Sequence, residues 1–177
     1  MTEPHRAVFF DRDGVVNLSP GAGYVTQWAD FHFSPGIMDA LRLCKERGYL
    51  TVLVTSQQGV GKGEMSQADL DEIHSQMQST LAMQKAAFDG IYACTHLAGT
   101  CTCRKPSAEM IEKAVADLHI DVSRSVLIGD HDRDIQMAQN GGIPITIRIR
   151  GEKEITVPAT TTLDSTSDLR AALLRLL

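Results

Sequence analysis

Two aspartates one residue apart, Asp11 and Asp13, follow a short apolar run at residues 7–10 and precede Gly14. Four apolar residues bounded by charges and a glycine read as a buried strand rather than a helix. A strand that stops on two carboxylates places both at its C-terminal edge, where open α/β sheets bind ligands. The spacing suits a division of labour, with one carboxylate facing a ligand as nucleophile or metal ligand and the other set back as acid or base. The same residues also fit a plain polar turn in which Gly14 supplies a permissive φ. Three further clusters bear on the choice: Thr55 and Ser56, Arg104 and Lys105, and Asp130 with Asp134. If the strands are parallel and adjacent, all four clusters meet at one sheet edge. They then supply a nucleophile, hydroxyl and amide donors, a cation and a carboxylate pair. Those are the parts needed to move a phosphoryl group through a covalent aspartyl-phosphate.

A second constellation is Cys94-x-His96-x4-Cys101-x-Cys103. Three sulfurs and one imidazole meet the demand of tetrahedral Zn²⁺, and four protein ligands leave no open position, so such a site is structural. It would pin the loop that leads directly into Arg104 and Lys105. Metal loss would then disorder the phosphate-binding cation as well. Disulfide pairing of two of the thiols is the competing reading. Cys44 lies on the apolar stripe of a helix and reads as core.

The elements that must position these residues alternate in type. Residues 35–47 read as a helix capped by Ser34, with Ile37, Leu41 and Cys44 on one face and Gly48 after the last turn. Residues 50–54 form a second strand. A long helix opens at Ser66, where Ser66 and Asp69 make a capping-box pattern, and runs to about residue 85. Met77 and Met83 read as core filler on it, and His74 as a surface or satisfied side chain rather than a ligand. Residues 89–93 read as a third strand, a helix capped by Ser107 follows, and residues 125–129 and 143–147 read as the fourth and fifth strands. A helix between those two strands runs to Asn140. The Thr-rich stretch near 158–162 reads as a loop, and residues 165–168 cap a final helix. This alternation predicts a parallel sheet covered on both faces, in a single domain spanning residues 1–177. The long loop at 18–35, with Tyr24 and Trp28, and the loop at 58–65 are expected to rim the ligand site.

Composition narrows the class. The chain has 177 residues, 43% of them hydrophobic, which suffices for a real core. A net charge of −5 argues against a general nucleic-acid binder and requires local positive groups to capture an anion. No signal-peptide pattern or membrane-length apolar stretch is seen, so a soluble, cytoplasmic protein is expected, without membrane partners and monomeric.

The motifs DRDGVVN, the strand ending in Thr55, CRKP and GDHDRD resemble the four motifs of the haloacid-dehalogenase-like (HAD) phosphatases over residues 7–150. Within that superfamily they are most similar to the heptose bisphosphate and histidinol-phosphate phosphatase branch. The zinc loop matches the loop of that branch, with a short spacer. The resemblance implies a three-layer α/β/α Rossmann-like HAD fold with no separate cap domain. It makes Asp11 the nucleophile, and Asp13 the group that protonates the leaving alkoxide and then deprotonates water. Mg²⁺ would be held by Asp11, the backbone carbonyl of Asp13, and Asp130, with Asp134 orienting its waters or Lys105 rather than ligating. Lys105 would bridge Asp11 and the phosphoryl oxygens, and the Thr55 hydroxyl with the Ser56 N–H would bind one oxygen. Arg104 offers a fork for the substrate, and Lys62 could reach a remote anionic group. A surface ion pair is the alternative for Arg104, a solvated loop for Lys62, and a helix N-terminal carboxylate for Asp134.

The expected substrate is a small phosphorylated sugar, first the 7-phosphate of heptose 1,7-bisphosphate and next histidinol phosphate. A non-catalytic phospho-ligand binder on the same fold is the reading from a different class. Four positions depart from the branch: Ser56 stands where Asn is usual, Gln57 and Gln58 where Gln and Ser are, Lys62 where Arg is usual, and His131 where Lys is frequent. The changes at Ser56 and His131 spare the chemical step and bear on the substrate.

Overall fold

The computed structural model describes residues 2–177. Its strands are β1 (Ala7–Phe10), β2 (Leu50–Ser56), β3 (Gly90–Cys94), β4 (Val126–Gly129), β5 (Ile145–Ile149) and β6 (Thr161–Leu163). The helices are α1 (Ile37–Glu46), α2 (Gln58–Gly61), α3 (Gln67–Met83), α4 (Glu109–Leu118), α5 (Asp132–Asn140) and α6 (Leu169–Leu176). All six strands join one sheet in the order β3-β2-β1-β4-β5-β6, and every pairing is parallel. β1 is therefore central, with β2 on one side and β4 on the other.

Side chains alternate across a strand, so β1 feeds two cores. Val8 and Phe10 join Ile37, Leu41 and Cys44 of α1, Ile73, Met77 and Leu81 of α3, and Leu169 and Leu173 of α6. Ala7 and Phe9 face the other way, against Met110, Ile111 and Ala114 of α4 and Met137 and Ala138 of α5. Both faces of the sheet are thus covered, which is why the central strands β1 and β4 are buried along their whole length rather than alternating. The result is the three-layer α/β/α fold. Among the described residues there is no inserted cap domain between the strands, and no helix is long and apolar enough to cross a membrane.

Several local expectations shift. α1 starts at Ile37 with Gly36 at its N-cap in the left-handed region (φ 77°), and Ser34 makes no cap bond. A Cβ on Gly36 would press on the backbone of Ser167 and Thr166, so close packing of the chain's last segment sets this helix start. The Ser66/Asp69 capping box is formed. Ser107 accepts from Glu109 N–H at 3.2 Å one position before the assigned cap residue. Thr161–Leu163 is a sixth strand instead of a loop, since Thr-rich polar sequence suits an edge strand that needs no buried face. β5 begins two residues later than its apolar pattern suggested. Met77 is buried, whereas Met83 in the last turn of α3 is 77% exposed and is not core.

These placements set a contrast. Leu41→Ala, at a fully buried position, is expected to cost about 2–5 kcal/mol. Met83→Ala is expected to stay within about 0.5 kcal/mol. Urea denaturation of both variants measures the difference.

Candidate active site

The parallel pairing carries β1 and β4 to the same end of the sheet. Asp11 N–H donates to Ile128 O at 3.0 Å, the rung beyond the last residue of β1, so the chain leaves β1 and β4 side by side. Asp11 and Asp13 emerge from the one and Asp130 from the other. Gly14 is needed at this junction. Its φ is +88°, and a Cβ there would fall on the Asp130 carboxylate.

Lys105 Nζ donates to Asp11 Oδ1 at 2.6 Å and to Asp134 Oδ1 at 2.7 Å, and both contacts are buried. Lys105 arrives on the loop after β3, so only three of the four polar clusters sit at or next to strand ends. The other oxygen of Asp134 accepts from the N–H groups of Asp130 and His131 at 3.2 and 3.0 Å. Its carboxylate is thus committed to the ammonium and to the turn that carries Asp130.

Carboxylate oxygens of Asp11, Asp130 and Asp134 lie within 4.8 Å of one another. Burial and the charge of Asp134 push the Asp11 carboxyl up despite Lys105. The same two causes push Asp130 up to about 6. Burial opposes the charge on Lys105, but Asp11 and Asp134 outweigh it and raise its pKa. Three carboxylates against one ammonium leave room for a divalent cation, and all-oxygen donors fit a hard ion such as Mg²⁺. Asp13 behaves oppositely. Burial alone would raise it, but the Arg12 guanidinium and hydrogen bonds from Asn17 and Gln57 hold it below the usual carboxylate range.

A cavity of about 410 Å³ opens over these groups, lined by Asp11, Asp13, Ser56 and Asp130 at its base. Residues 19–24, the part of the long loop expected to overhang the site, also line it, as do His131, Arg133 and residues 151–153. Trp28 does not line it. It stacks on Phe31 at 5.0 Å and packs against the larger core. Residues 58–65 do not line it either, because Gln58–Gly61 coils into a helical turn. Within that stretch Lys62 is exposed, with its ammonium 5.3 Å from the centre of the Tyr24 ring, outside the cavity. Arg104 also lies outside the lining. In the amide orientation that satisfies its neighbours, Gln58 accepts from the Arg104 guanidinium at 2.9 Å and from Ala98 N–H at 2.7 Å. The buried Thr55 hydroxyl accepts from Gln57 Nε2 at 2.8 Å, which leaves its own proton free to donate. Sequence reasoning missed Arg133 and residues 151–153. Arg133 lies inside the GDHDRD motif, but the second segment has no motif and reaches the site only through the path of the chain after β5.

At the other end of the Lys105 loop, Cys94, His96, Cys101 and Cys103 bring their ligand atoms within 4.8 Å of one another. The Cys94 and Cys103 sulfurs touch as a disulfide would. Cys101 Sγ stands 3.6 Å from Cys94 Sγ, and His96 Nδ1 stands 3.3 Å from Cys103 Sγ and 3.9 Å from Cys94 Sγ. A disulfide uses two of the four groups and leaves the other two idle. Tetrahedral zinc, with edges of about 3.8 Å between sulfurs, uses all four, so the cluster is compatible with a zinc-binding loop.

Comparison with known proteins gives the family. A HAD-hydrolase-like family model matches residues 102–154. The D-glycero-beta-D-manno-heptose-1,7-bisphosphate 7-phosphatase of Haemophilus influenzae is 35% identical, over 97% of this chain and 98% of its own. The enzyme of the same name from Vibrio cholerae is 38% identical, over 96% of each chain. The chain belongs to this family of HAD phosphatases. Its fold matches the D,D-heptose 1,7-bisphosphate phosphatase of B. bronchiseptica, solved with magnesium and phosphate, at a TM-score of 0.87 and 28% identity, covering 96% of this chain and 98% of that one.

The junction at Gly14 gives a direct check. Gly14→Ala is expected to cost about 1–2 kcal/mol for a left-handed backbone, and to push Asp130 away from Asp11. A lower urea midpoint together with loss of phosphate release from a phosphate ester measures both effects.

Proposed function

We propose that the chain is a Mg²⁺-dependent phosphomonoesterase that removes the 7-phosphate of D-glycero-β-D-manno-heptose 1,7-bisphosphate, working as one domain. The observation that carries this is the buried Lys105 ammonium held between Asp11 and Asp134, with Asp130 in the same cluster. The names and full-length similarity of the relatives support the choice of sugar.

Asp11 attacks phosphorus and forms the aspartyl-phosphate. Asp13, beside it in the cavity, gives the leaving sugar alkoxide a proton from the fraction of molecules in which it is protonated, and the carboxylate left behind, the form Arg12 favours, takes a proton back from the water that hydrolyses the acyl-phosphate. Lys105 compensates charge on Asp11 and the phosphoryl oxygens, and Asp134 holds that ammonium in place. The Thr55 hydroxyl and the Ser56 N–H receive a phosphoryl oxygen. Asp11, Asp130 and the backbone carbonyl of Asp13 would hold the magnesium ion, which when bound supplies the positive charge that lets a carboxylate and a phosphate ester meet.

Cys94, His96, Cys101 and Cys103 hold a structural zinc that fixes the loop carrying Lys105. Lys62 and Arg104 stand outside the cavity, and we assign neither a contact with the reacting phosphate.

Asp11→Asn is expected to lower phosphate release from heptose 1,7-bisphosphate by at least about 10³-fold, the order lost when a covalent nucleophile is removed. The wild type is expected to need added Mg²⁺ after chelation and to prefer the heptose ester over histidinol phosphate. Equal, negligible release by both proteins across a panel of phosphate esters would make the chain a binder instead. For the sulfur cluster, Cys101→Ser is expected to lose bound zinc by elemental analysis, to melt several degrees lower, and to turn over more slowly with Asp11 intact. Unchanged metal content and melting would count against zinc.

A further inference from the structure

Arg12, between the two active-site aspartates, has no part in the mechanism above, yet its side chain is fully buried. A guanidinium removed from water is destabilising unless partners surround it. The structure supplies them. Arg12 Nε and Nη2 donate to Asp13 Oδ1 at 3.3 and 3.1 Å. Nη2 also reaches Gln57 Oε1 at 3.3 Å, and Nη1 faces His74 Nε2 at 3.2 Å. The Arg12 carbonyl accepts from the N–H groups of Val15, Val16 and Asn17 at 3.2, 2.8 and 3.1 Å, so its backbone is tied down as well.

Asp13 is the one carboxylate paired with Arg12 among the described residues. Its remaining side-chain bonds come from Asn17 Nδ2 at 2.9 Å and Gln57 Nε2 at 2.9 Å. Gln57 is the link: its oxygen accepts from Arg12, while its nitrogen donates to Asp13 and to Thr55 Oγ1. His74, on the inner face of α3, closes the far side. Burial and the charge of Arg12 lower it to about 4, so at neutral pH it is an uncharged acceptor for the guanidinium. A histidine that sequence alone marks as satisfied is satisfied by a cation directly behind the acid/base residue.

We infer that Arg12 is a positioning residue for proton transfer: its fork, completed by Gln57 and backed by His74, fixes the direction in which the Asp13 carboxylate faces the leaving oxygen. This rests on the phosphomonoesterase reading and on the role given there to Asp13.

Leaving-group chemistry provides the test. A sugar alkoxide departs only as Asp13 gives it a proton. A 4-nitrophenolate departs unprotonated when Asp11 forms its bond to phosphorus. Arg12→Lys keeps the charge and loses the fork. It is expected to slow single-turnover cleavage of the heptose ester about 10–100-fold, the scale of a misplaced catalytic group. The nitrophenolate burst from 4-nitrophenyl phosphate is expected to change less than about threefold, on the same reasoning that this step needs no acid. KM for the sugar ester is expected to hold.

His74→Leu, a milder change at a residue that does not line the cavity, is expected to show the same split to a smaller degree, with His74→Gln restoring the acceptor and the rate. Equal losses with both esters, or no loss with either, would overturn the inference while leaving the phosphatase reading in place. If the wild type cleaves neither ester, the underlying reading itself fails.

Discussion

One buried ammonium draws the carboxylates of this sheet edge together. Lys105 has its charge buried between Asp11 and Asp134, and each of the three would be costly alone in that environment. Asp11 comes from the centre of the sheet, Asp134 from the first turn of a helix, and Lys105 from a loop. Their meeting ties three separately folded pieces together. Asp134 spends one oxygen on that ammonium, and its second oxygen accepts from the turn that carries Asp130. One carboxylate thus aligns a cation and a neighbouring acid at once.

The two aspartates of the first motif live under opposite electrostatics although they are two residues apart. Asp11 faces other carboxylates and is pushed toward neutrality, while Asp13 faces a guanidinium and two amide donors and is held ionised. Asp13 is thus mainly in its proton-accepting form, whereas Asp11 needs added positive charge to stay ionised. It arises because Arg12 turns inward beneath the strand rather than outward into the cavity. Two buried cations thus serve the motif separately, Lys105 at Asp11 and Arg12 at Asp13.

Much of this was legible in the sequence because strand ends are. Apolar runs stopping on Asp11, Thr55 and Asp130 identify the edge, and the alternation of strands and helices implies that they share it. The Cys-x-His…Cys-x-Cys spacing identifies a cluster that the structure assembles. What could not be read depends on three-dimensional contacts. Trp28 and Met83 exchange their expected environments, since a side chain near a loop bend or in a last helical turn has no fixed face. Lys62 and Arg104 carry the right charge but are directed elsewhere, Lys62 over the Tyr24 ring and Arg104 to Gln58. The wall at residues 151–153 shows no motif at all. It is brought to the cavity by the chain crossing from β5 to β6, where Asp132 ties Thr156 to Arg148.

The sulfur cluster stands on the loop that carries Lys105, and a single residue, Arg104, separates its last cysteine from that lysine. Asp11 and Asp134 grip the ammonium, while the backbone that brings it there leaves a cluster whose Cys94 is itself part of the smaller hydrophobic layer. Order among the four sulfur and imidazole ligands and order at the lysine are therefore joined along the chain, across Arg104 alone.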